Sequence, residues 1–365
     1  MADVITSEYR LATETGLKTF VSAVLEKAGV SAEDAAIVAD VLVAADLRGV
    51  ESHGVARLET YYVSRLRNGQ MVPKPEVKTV RETATSLLVD AGNGLGHPAA
   101  KRTMERLLDK AGQTGAAFGA VRNSNHFGIA GYYAMLALDR DMIGIASTNS
   151  TRFGAPTFGR DILLGTNPLA FAIPADKEPA FVLDFATTTV PKGKLEVYAR
   201  KEKQLNSGWA IDAEGHETRD PQVALKGALL PLGGFGVDNG GHKGYGLGLL
   251  VDILCGVLSG GAFGDELPLP TDGPQPGKIS HFFAAFKIDG FRDPADFKRD
   301  MDVELRAFKD SDRAPGQDRI YVAGEIEYEK TLYNREHGVP VHVKVWNGLE
   351  KLAGELGVPF DFEQR

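Results

Sequence analysis

The stretch that decides the fold is Ala91–His97, AGNGLGH. An apolar, strand-like run, TSLLVD (residues 85–90), leads into it. A run with helical apolar spacing, PAAKRTMERLLDKAG (98–112), leads out. Strand, glycine-rich turn and helix in succession is the setting in which a dinucleotide pyrophosphate is cradled. The residues fit that reading incompletely. Gly92 and Gly94 match the first two glycines of G-x-G-x-x-G, but His97 stands where the third belongs. The following strand-like run, GAAFGAVRN (115–123), ends in Arg122 and Asn123 and not in the acidic residue that would hold a ribose. No second strand–helix–strand half repeats the unit. These features favour a tight turn that lets a helix pack closely on a strand.

Working outward, the chain from Glu8 to Leu66 reads as helical. Ser31 with Asp34 three residues on resembles a capping box at the head of AEDAAIVADVLVAADL. VARLETYYVSRLRNG reads as a further helix ending near Gly69. Pro73 and Pro75 then mark a change of character. Beyond them VKTVRE, TSLLVD, GAAFGAVRN, MIGIASTN, PLAFAIP, AFVLDFAT, LEVYARK and HFFAAFKIDGF read as strands. Helices are expected after Pro98, across GIAGYYAMLALDRD, from about Tyr245 to Leu258, and from Asp293 or Asp296 onward. A short strand and helix close the chain. The expected fold class is α+β. A discontinuous helical domain (residues 1–75 and 290–365) surrounds an inserted α+β domain (76–289).

Composition limits the function classes. The 365 residues exceed one ordinary core. A net charge of −8, from 41 Lys and Arg against 49 Asp and Glu, argues against a nucleic-acid surface. The single cysteine, Cys255, excludes an internal disulfide framework and a cysteine-rich zinc site. The N-terminal residues lack the charged and apolar regions of a secretory leader. The apolar run Leu247–Leu258 is too short to span a bilayer. A cytoplasmic protein without nucleic-acid or membrane partners is expected.

Four segments carry residues suited to chemistry. In DLRGVESHGVARLETYY, Ser52 and His53 sit at a helix break, with Arg48, Arg57 and Tyr61 nearby; a helix start bearing such groups suits an anion. In RNSNHFGIAGYY, His126 lies at a strand-to-helix corner, where an imidazole could move a proton or serve structure alone. LLGTNPLAFAIP and FVLDFATTTVPKGK put Thr166, Asn167, Thr187 and Thr188 at strand ends. In GGHKGYGLGLLVDIL, Lys243 among glycines before a helix could meet a phosphate, though no P-loop is present. A metal held by His53, His126 and Asp184 would make the chain a hydrolase or lyase.

Taken in order, RGVESHGVARLETY, NSNHFGIAGYY, LGTNPLAFAIP, LDFATT, GWAIDAEGHETRDP and GHKGYGLGLLVDIL resemble the type-2 malate/L-lactate dehydrogenase family across nearly the whole chain. The resemblance implies NAD(P)-dependent interconversion of 2-hydroxy and 2-keto acids. It also implies a cofactor held on a mainly antiparallel, non-Rossmann sheet, no metal, and a homodimer with its active site in a cleft between domains. It assigns acid/base work to His126 and His53, with His126 preferred as proton donor. It assigns substrate contacts to Ser52, Arg57, Arg48 and Tyr61. Cofactor contacts fall to Ser150, Asp184, Ala186, Thr187, Lys243, Gly324 and Glu325, with Ala323 where the family commonly has proline. The cofactor is NAD or NADP. Family substrates include malate, lactate, sulfolactate, ureidoglycolate, diketogulonate and cyclic imino acids. Malate with oxaloacetate leads here, because Arg48, Arg57 and Arg152 could answer a second negative group.

Overall fold

In the computed structural model, which describes residues 8–363, β1 (Tyr9–Ala12) opens the chain and α1 (Glu14–Lys27) and α2 (Ala32–Leu47) follow. Ser31 caps α2 as its sequence foretells, its Oγ accepting the Asp34 N–H at 3.2 Å. The segment after α2 is helical but irregular: two 3₁₀ turns, Glu51–His53 and Val55–Arg57, a π-helical turn, Leu58–Val63, and then the short α3 (Ser64–Arg67). The extended start of β1 corrects the reading of helix from Glu8 onward. Its cause is a distant partner, β11 (Val339–His342), which pairs with it antiparallel.

The central sheet holds seven strands. They are β2 (Lys78–Glu82), β3 (Ser86–Asp90), β4 (Ala116–Ser124), β5 (Met142–Thr148), β6 (Leu169–Ile173), β7 (Phe181–Phe185) and β10 (Ile279–Lys287), in the order β2-β3-β4-β10-β5-β6-β7. The β3–β4 pair is parallel and the other neighbours are antiparallel. The fold is thus mixed helix and sheet with a mostly antiparallel centre. The parallel pair is joined through α4 (Gly96–Thr114), and AGNGLGH sits in that strand–helix–strand unit. A Cβ on Gly96 would fall 2.1 Å from the Asn125 carbonyl oxygen and 2.8 Å from that of His126. One on Gly94 would fall 2.4 Å from Pro75 Cγ. The turn is pressed between two stretches of chain, which only glycine allows.

The short α5 (Ala130–Met135) packs on β5 and β6. A small lobe follows, of α6 (Lys192–Arg200), β8 (Ala210–Ile211), α7 (Pro221–Ala224) and β9 (Ala228–Leu229), around Leu195, Leu205 and Ala224. LEVYARK is helical there, not a strand: Leu195 and Tyr198, three apart, share the face that meets this core and Trp209. α8 (Gly241–Asp252) continues into a π turn, Ile253–Val257, and so begins four residues before the expected start. α9 (Pro294–Lys309) is capped by Asp293, whose Oδ1 accepts from the Ala295 and Asp296 N–H groups. α10 (Glu325–His337), β11 and α11 (Val343–Leu356) complete the chain; α10 has no counterpart in the sequence reading.

Two apolar clusters form the main cores. One joins α1, α2, the π turn and α11 through Leu17, Phe20, Leu42, Tyr62, Trp346 and Phe362. The other joins α4, α5 and the sheet through Met104, Leu107, Phe127, Tyr133 and Phe283. Tyr62 from the first and His97 from α4 touch edge to face at 5.0 Å. The site described next lies at this junction.

Candidate active site

The segment bearing Ser52, His53 and Arg57 is fixed from beneath by α2. Asp46, 3% exposed, accepts the Val55 N–H through Oδ2 at 2.8 Å. Gly54 must lack a side chain, because its Cβ would lie 1.9 Å from Asp46 Oδ1. Burial raises the Asp46 pKa well above the ordinary value, against the pull of the Val55 N–H. Above it, Ser52 Oγ and His53 Nδ1 are hydrogen-bonded at 2.9 Å. Arg57 donates Nε–H to the Ser52 carbonyl at 2.7 Å, leaving its two terminal nitrogens without a partner among the described residues, in an exposed position. Burial and then Arg57 push the His53 pKa down to about 4.

The π turn then changes what reaches the site. Instead of one tyrosine on the inner face it presents two. Tyr61 lies 5.3 Å from the His126 ring, and Arg65 stacks on Tyr61 at 4.3 Å. Tyr62, fully buried, places Oη 2.6 Å from His126 Nδ1. The expected regular helix from Gly54 is corrected here: a wider turn of this kind accumulates at functional sites and re-aims neighbouring side chains.

His126 follows β4 at a corner held by polar bonds. Asn125, fully buried, donates to the Asn93 and Gly94 carbonyls and accepts from the Gly277 N–H. His281 of β10 bridges Thr148 and Ser124 and stacks on Phe127 at 4.5 Å. His126 stacks on His53 with ring centroids 5.4 Å apart, and its Nδ1 also accepts the Gly128 N–H at 3.3 Å. Nε2 has no hydrogen-bond partner among the described residues. Burial, followed by the neighbouring His53, His97, Arg57 and His281, holds the His126 pKa well below the usual imidazole value. Both imidazoles are therefore neutral at neutral pH.

The remaining expected site residues gather around β7 and α8. Asp184 faces a concavity: its side chain is open to water, yet protein surrounds it and raises its carboxyl pKa. Its Oδ2 accepts the Gly131 N–H at the start of α5 at 2.7 Å. Arg48, half-buried at the end of α2, has Glu327 and Asp184 as its neighbouring charges, and so stands on the Asp184 side. Thr187 donates to the Thr166 and Asn167 carbonyls, and Ser150 Oγ accepts the Thr166 N–H. Lys243, in the first turn of α8, lines an open cleft of about 450 Å³ with Leu232, Gly233, Asn239 and Gly240. Ala186 is half-buried just after β7 and can offer only its backbone to a ligand. Gly324, at φ +87°, lies so close to Val182 of β7 that a Cβ would meet it at 2.8 Å. Glu325 is buried and ion-paired with Lys309 and Arg319, each at 2.8 Å.

Ser52, His53, Arg57, Tyr61 and His126 thus form one group; Ser150 and Thr187 meet at Thr166, Asp184 stands with Arg48, and Lys243 lines its own cleft. Arg152 belongs to none of these, because its guanidinium is spent on the Leu267 and Ile162 carbonyls. Nothing in the sequence marks Asn125 or His97 as site residues, and for Tyr62 the one signal is the tyrosine pair beside Arg57. Among the described residues no group of three or more His, Cys, Asp and Glu side chains is placed to share a metal ion. Nor is any described helix long and apolar enough to cross a membrane.

Residues 13–350 match the family described as malate/L-lactate dehydrogenase. The malate dehydrogenase of Pyrococcus abyssi is 44% identical over 343 residues, covering 94% of each chain. The L-sulfolactate dehydrogenase of Methanocaldococcus jannaschii is 38% identical, over 93% of this chain and 96% of the other. The solved structure of malate dehydrogenase from Pyrococcus horikoshii superposes with a TM-score of 0.88 at 41% identity, over 97% of this chain and 98% of that one.

Proposed function

Because the chain belongs to the malate/L-lactate dehydrogenase family, and so is an oxidoreductase of small hydroxy and keto acids using a nicotinamide cofactor, we propose that it interconverts malate and oxaloacetate with NAD or NADP. The observation that carries the site assignment is the stacked pair His53 and His126 beside the free end of Arg57. In this reading Arg57 grips the substrate carboxylate through its two unengaged nitrogens and fixes which face of the ketone is presented. Ser52 and Tyr61 line the same pocket. His126, with Nδ1 engaged, offers Nε2 to the carbonyl oxygen and delivers the proton that turns the developing alkoxide into the alcohol. His53 polarises that oxygen or shares the role.

The residues present fit a dinucleotide. Asn167 Oδ1 is a buried acceptor without a partner, beside Thr166 and Ser150, and Lys243 stands free at the head of α8 over an open cleft. Lys243 and the first N–H groups of α8 would take phosphate oxygens. Ser150, Asp184, Ala186, Thr187 and Gly324 would line the rest, with Arg48 balancing Asp184 and Glu325 holding the Gly324 turn through its ion pairs. When bound, the nicotinamide supplies the hydride that reduces the ketone carbon. The cofactor thereby lies on the antiparallel part of the sheet, away from AGNGLGH, in a non-Rossmann mode.

The division into a helical unit (1–75 and 290–365) and a sheet unit (76–289) belongs to the same proposal and is supported by the two cores, which share α2 through Val41 and Ala45. So does a homodimer, supported by the exposed apolar stripe Leu249, Leu250, Ile253 and Val257 along α8 and its π turn. A cytoplasmic setting accords with Cys255 as a buried free thiol. The test is loss of reduced-nicotinamide absorbance with oxaloacetate, pyruvate and sulfopyruvate in turn. Oxaloacetate is expected to give the highest kcat/KM, and His126→Asn to remove turnover while cofactor binding persists. Preference for sulfopyruvate would move the assignment toward the sulfolactate relative, and silence with all three would defeat it.

A further inference from the structure

We infer that Tyr62 is the positioning residue of the site: its hydroxyl holds His126 Nδ1 in both protonation states, donating to the neutral ring and accepting from the protonated one. The inference rests on His126 as the proton donor proposed above.

Three observations carry it. Tyr62 Oη lies 2.6 Å from Nδ1 and has no other hydrogen-bond partner among the described residues, so its proton is free to point either way. The Gly128 N–H, which can only donate, approaches the same Nδ1 at 3.3 Å. A proton resting on Nδ1 would face that N–H; the resting ring therefore carries its proton on Nε2, and Tyr62 donates. Third, among the described residues no carboxylate stands behind the ring where a fixed acceptor is commonly found. The groups facing His126 are His53 from the 3₁₀ segment, His97 from α4, His281 from β10, Arg57, and the tyrosines Tyr61 and Tyr62 from the π turn. None of these is an anion.

The consequence is a two-way partner. When the ring takes up a second proton, that proton sits on Nδ1, the Gly128 bond is given up, and the Tyr62 hydroxyl rotates to accept. Nε2–H then faces the ketone oxygen, and delivering it returns the ring to neutrality with the remaining proton on Nδ1; exchange through water and the hydroxyl restores the resting form. A carboxylate in the same place would keep the ring charged at rest. The hydroxyl supports the charge without demanding it, so the site charges when an anionic substrate adds its own negative charge. Burial keeps the Tyr62 proton in place, since it raises the phenol pKa well above its ordinary value.

Histidine ¹⁵N spectra of the uniformly labelled protein test this directly, with His126→Asn identifying the resonance. Wild type at neutral pH is expected to show His126 as a single Nε2–H tautomer. Tyr62→Phe keeps the ring that packs on His97 and Tyr61 and removes the hydroxyl. It should keep the Nε2–H tautomer, which the Gly128 N–H still sets, with kcat lowered about tenfold to a hundredfold and little change in cofactor affinity. Keto-acid reduction should also fall off at a pH about 0.7 lower, because the charged ring loses a stronger bond than the neutral ring does. An Nδ1–H tautomer in wild type, or Tyr62→Phe with the wild-type kcat and pH profile, overturns the inference. If His126→Asn keeps its turnover, the proton-donor reading itself has failed and the inference falls with it. If His126→Asn is inactive while Tyr62→Phe behaves as wild type, only the inference has failed.

Discussion

Replacing His97 by leucine should stabilise the protein, and increasingly so as the pH falls. His97 is fully buried and neither ring nitrogen has a partner. At pH 7 the neutral ring therefore carries an uncompensated desolvation cost of about 1–2 kcal/mol that leucine would not carry. Burial also lowers the His97 pKa from 6.5 to about 3. Between those values the unfolded chain binds a proton there and the folded protein does not, so stability is lost as the pH drops, by about 1.4 kcal/mol per pH unit. At pH 5 this adds about 2 kcal/mol to the difference. The leucine variant should thus exceed wild type by about 1 kcal/mol at pH 7 and about 3 kcal/mol at pH 5. His53 and His281, lowered to about 4 and about 3, carry the same dependence, and Asp46, raised by burial, carries the opposite one. Because both proteins retain those groups, the difference between them reads His97 together with its smaller influence on His126 and His281. Urea unfolding at fixed protein concentration, at pH 7, 6 and 5, reads it. A gap that stays constant across that range, or a variant less stable at each pH, would refute the reasoning and place a hydrogen-bonded water or a charged ring at this position.

Gly96→Ala forces a Cβ to within 2.1 Å of the Asn125 carbonyl oxygen; a loss of about 3 kcal/mol in urea unfolding is expected, with turnover lowered more than cofactor affinity because His126 is displaced. Arg57→Ala should raise KM for the keto acid about a hundredfold and leave the dissociation constant of the reduced cofactor within a factor of two or so, as read by fluorescence titration. Asp302→Ala removes the carboxylate that accepts the N–H groups of Asp176, Lys177 and Glu178. It should cost about 3 kcal/mol, and hydrogen exchange should rise first in the turn between β6 and β7.

The legible parts of the sequence were those whose physics is local. Ser31 capping α2 and Asp293 capping α9 needed only a side-chain oxygen near free N–H groups. Ser52, His53, Arg57 and Tyr61 lie within ten residues, so their gathering was readable from spacing; His126 joins them by crossing to the other core. Distant partners set what was missed. β1 is extended because β11 lies beside it. LEVYARK alternates like a strand but is drawn into a helix by the small core under Leu195. Tyr62 gave little warning, since a π turn, not a regular α one, puts it on His126. Glu325 stood in a motif position for a cofactor contact, yet its carboxylate is taken by Lys309 and Arg319, which are 16 and 6 residues away in sequence.

The glycine turn shows why a local signature can carry a different meaning. A dinucleotide loop needs its glycines so that backbone approaches phosphate and helix approaches strand. Here the same demand arises from the protein's own chain. Gly94 admits Pro75, and Gly96, the first residue of α4, admits the carbonyls of Asn125 and His126. The close-approach glycine thus comes one residue before the place a phosphate fingerprint would put it. One residue turns the helix by about 100°, and the next side chain, His97, is carried inward against the Tyr62 ring. The turn therefore places His97 against one part of Tyr62 and the His126 ring within reach of its hydroxyl. A third glycine at residue 97 would have left the Tyr62 ring without that support. What reads as a flawed phosphate loop is a close-packed corner whose departure from the fingerprint is the feature that serves His126.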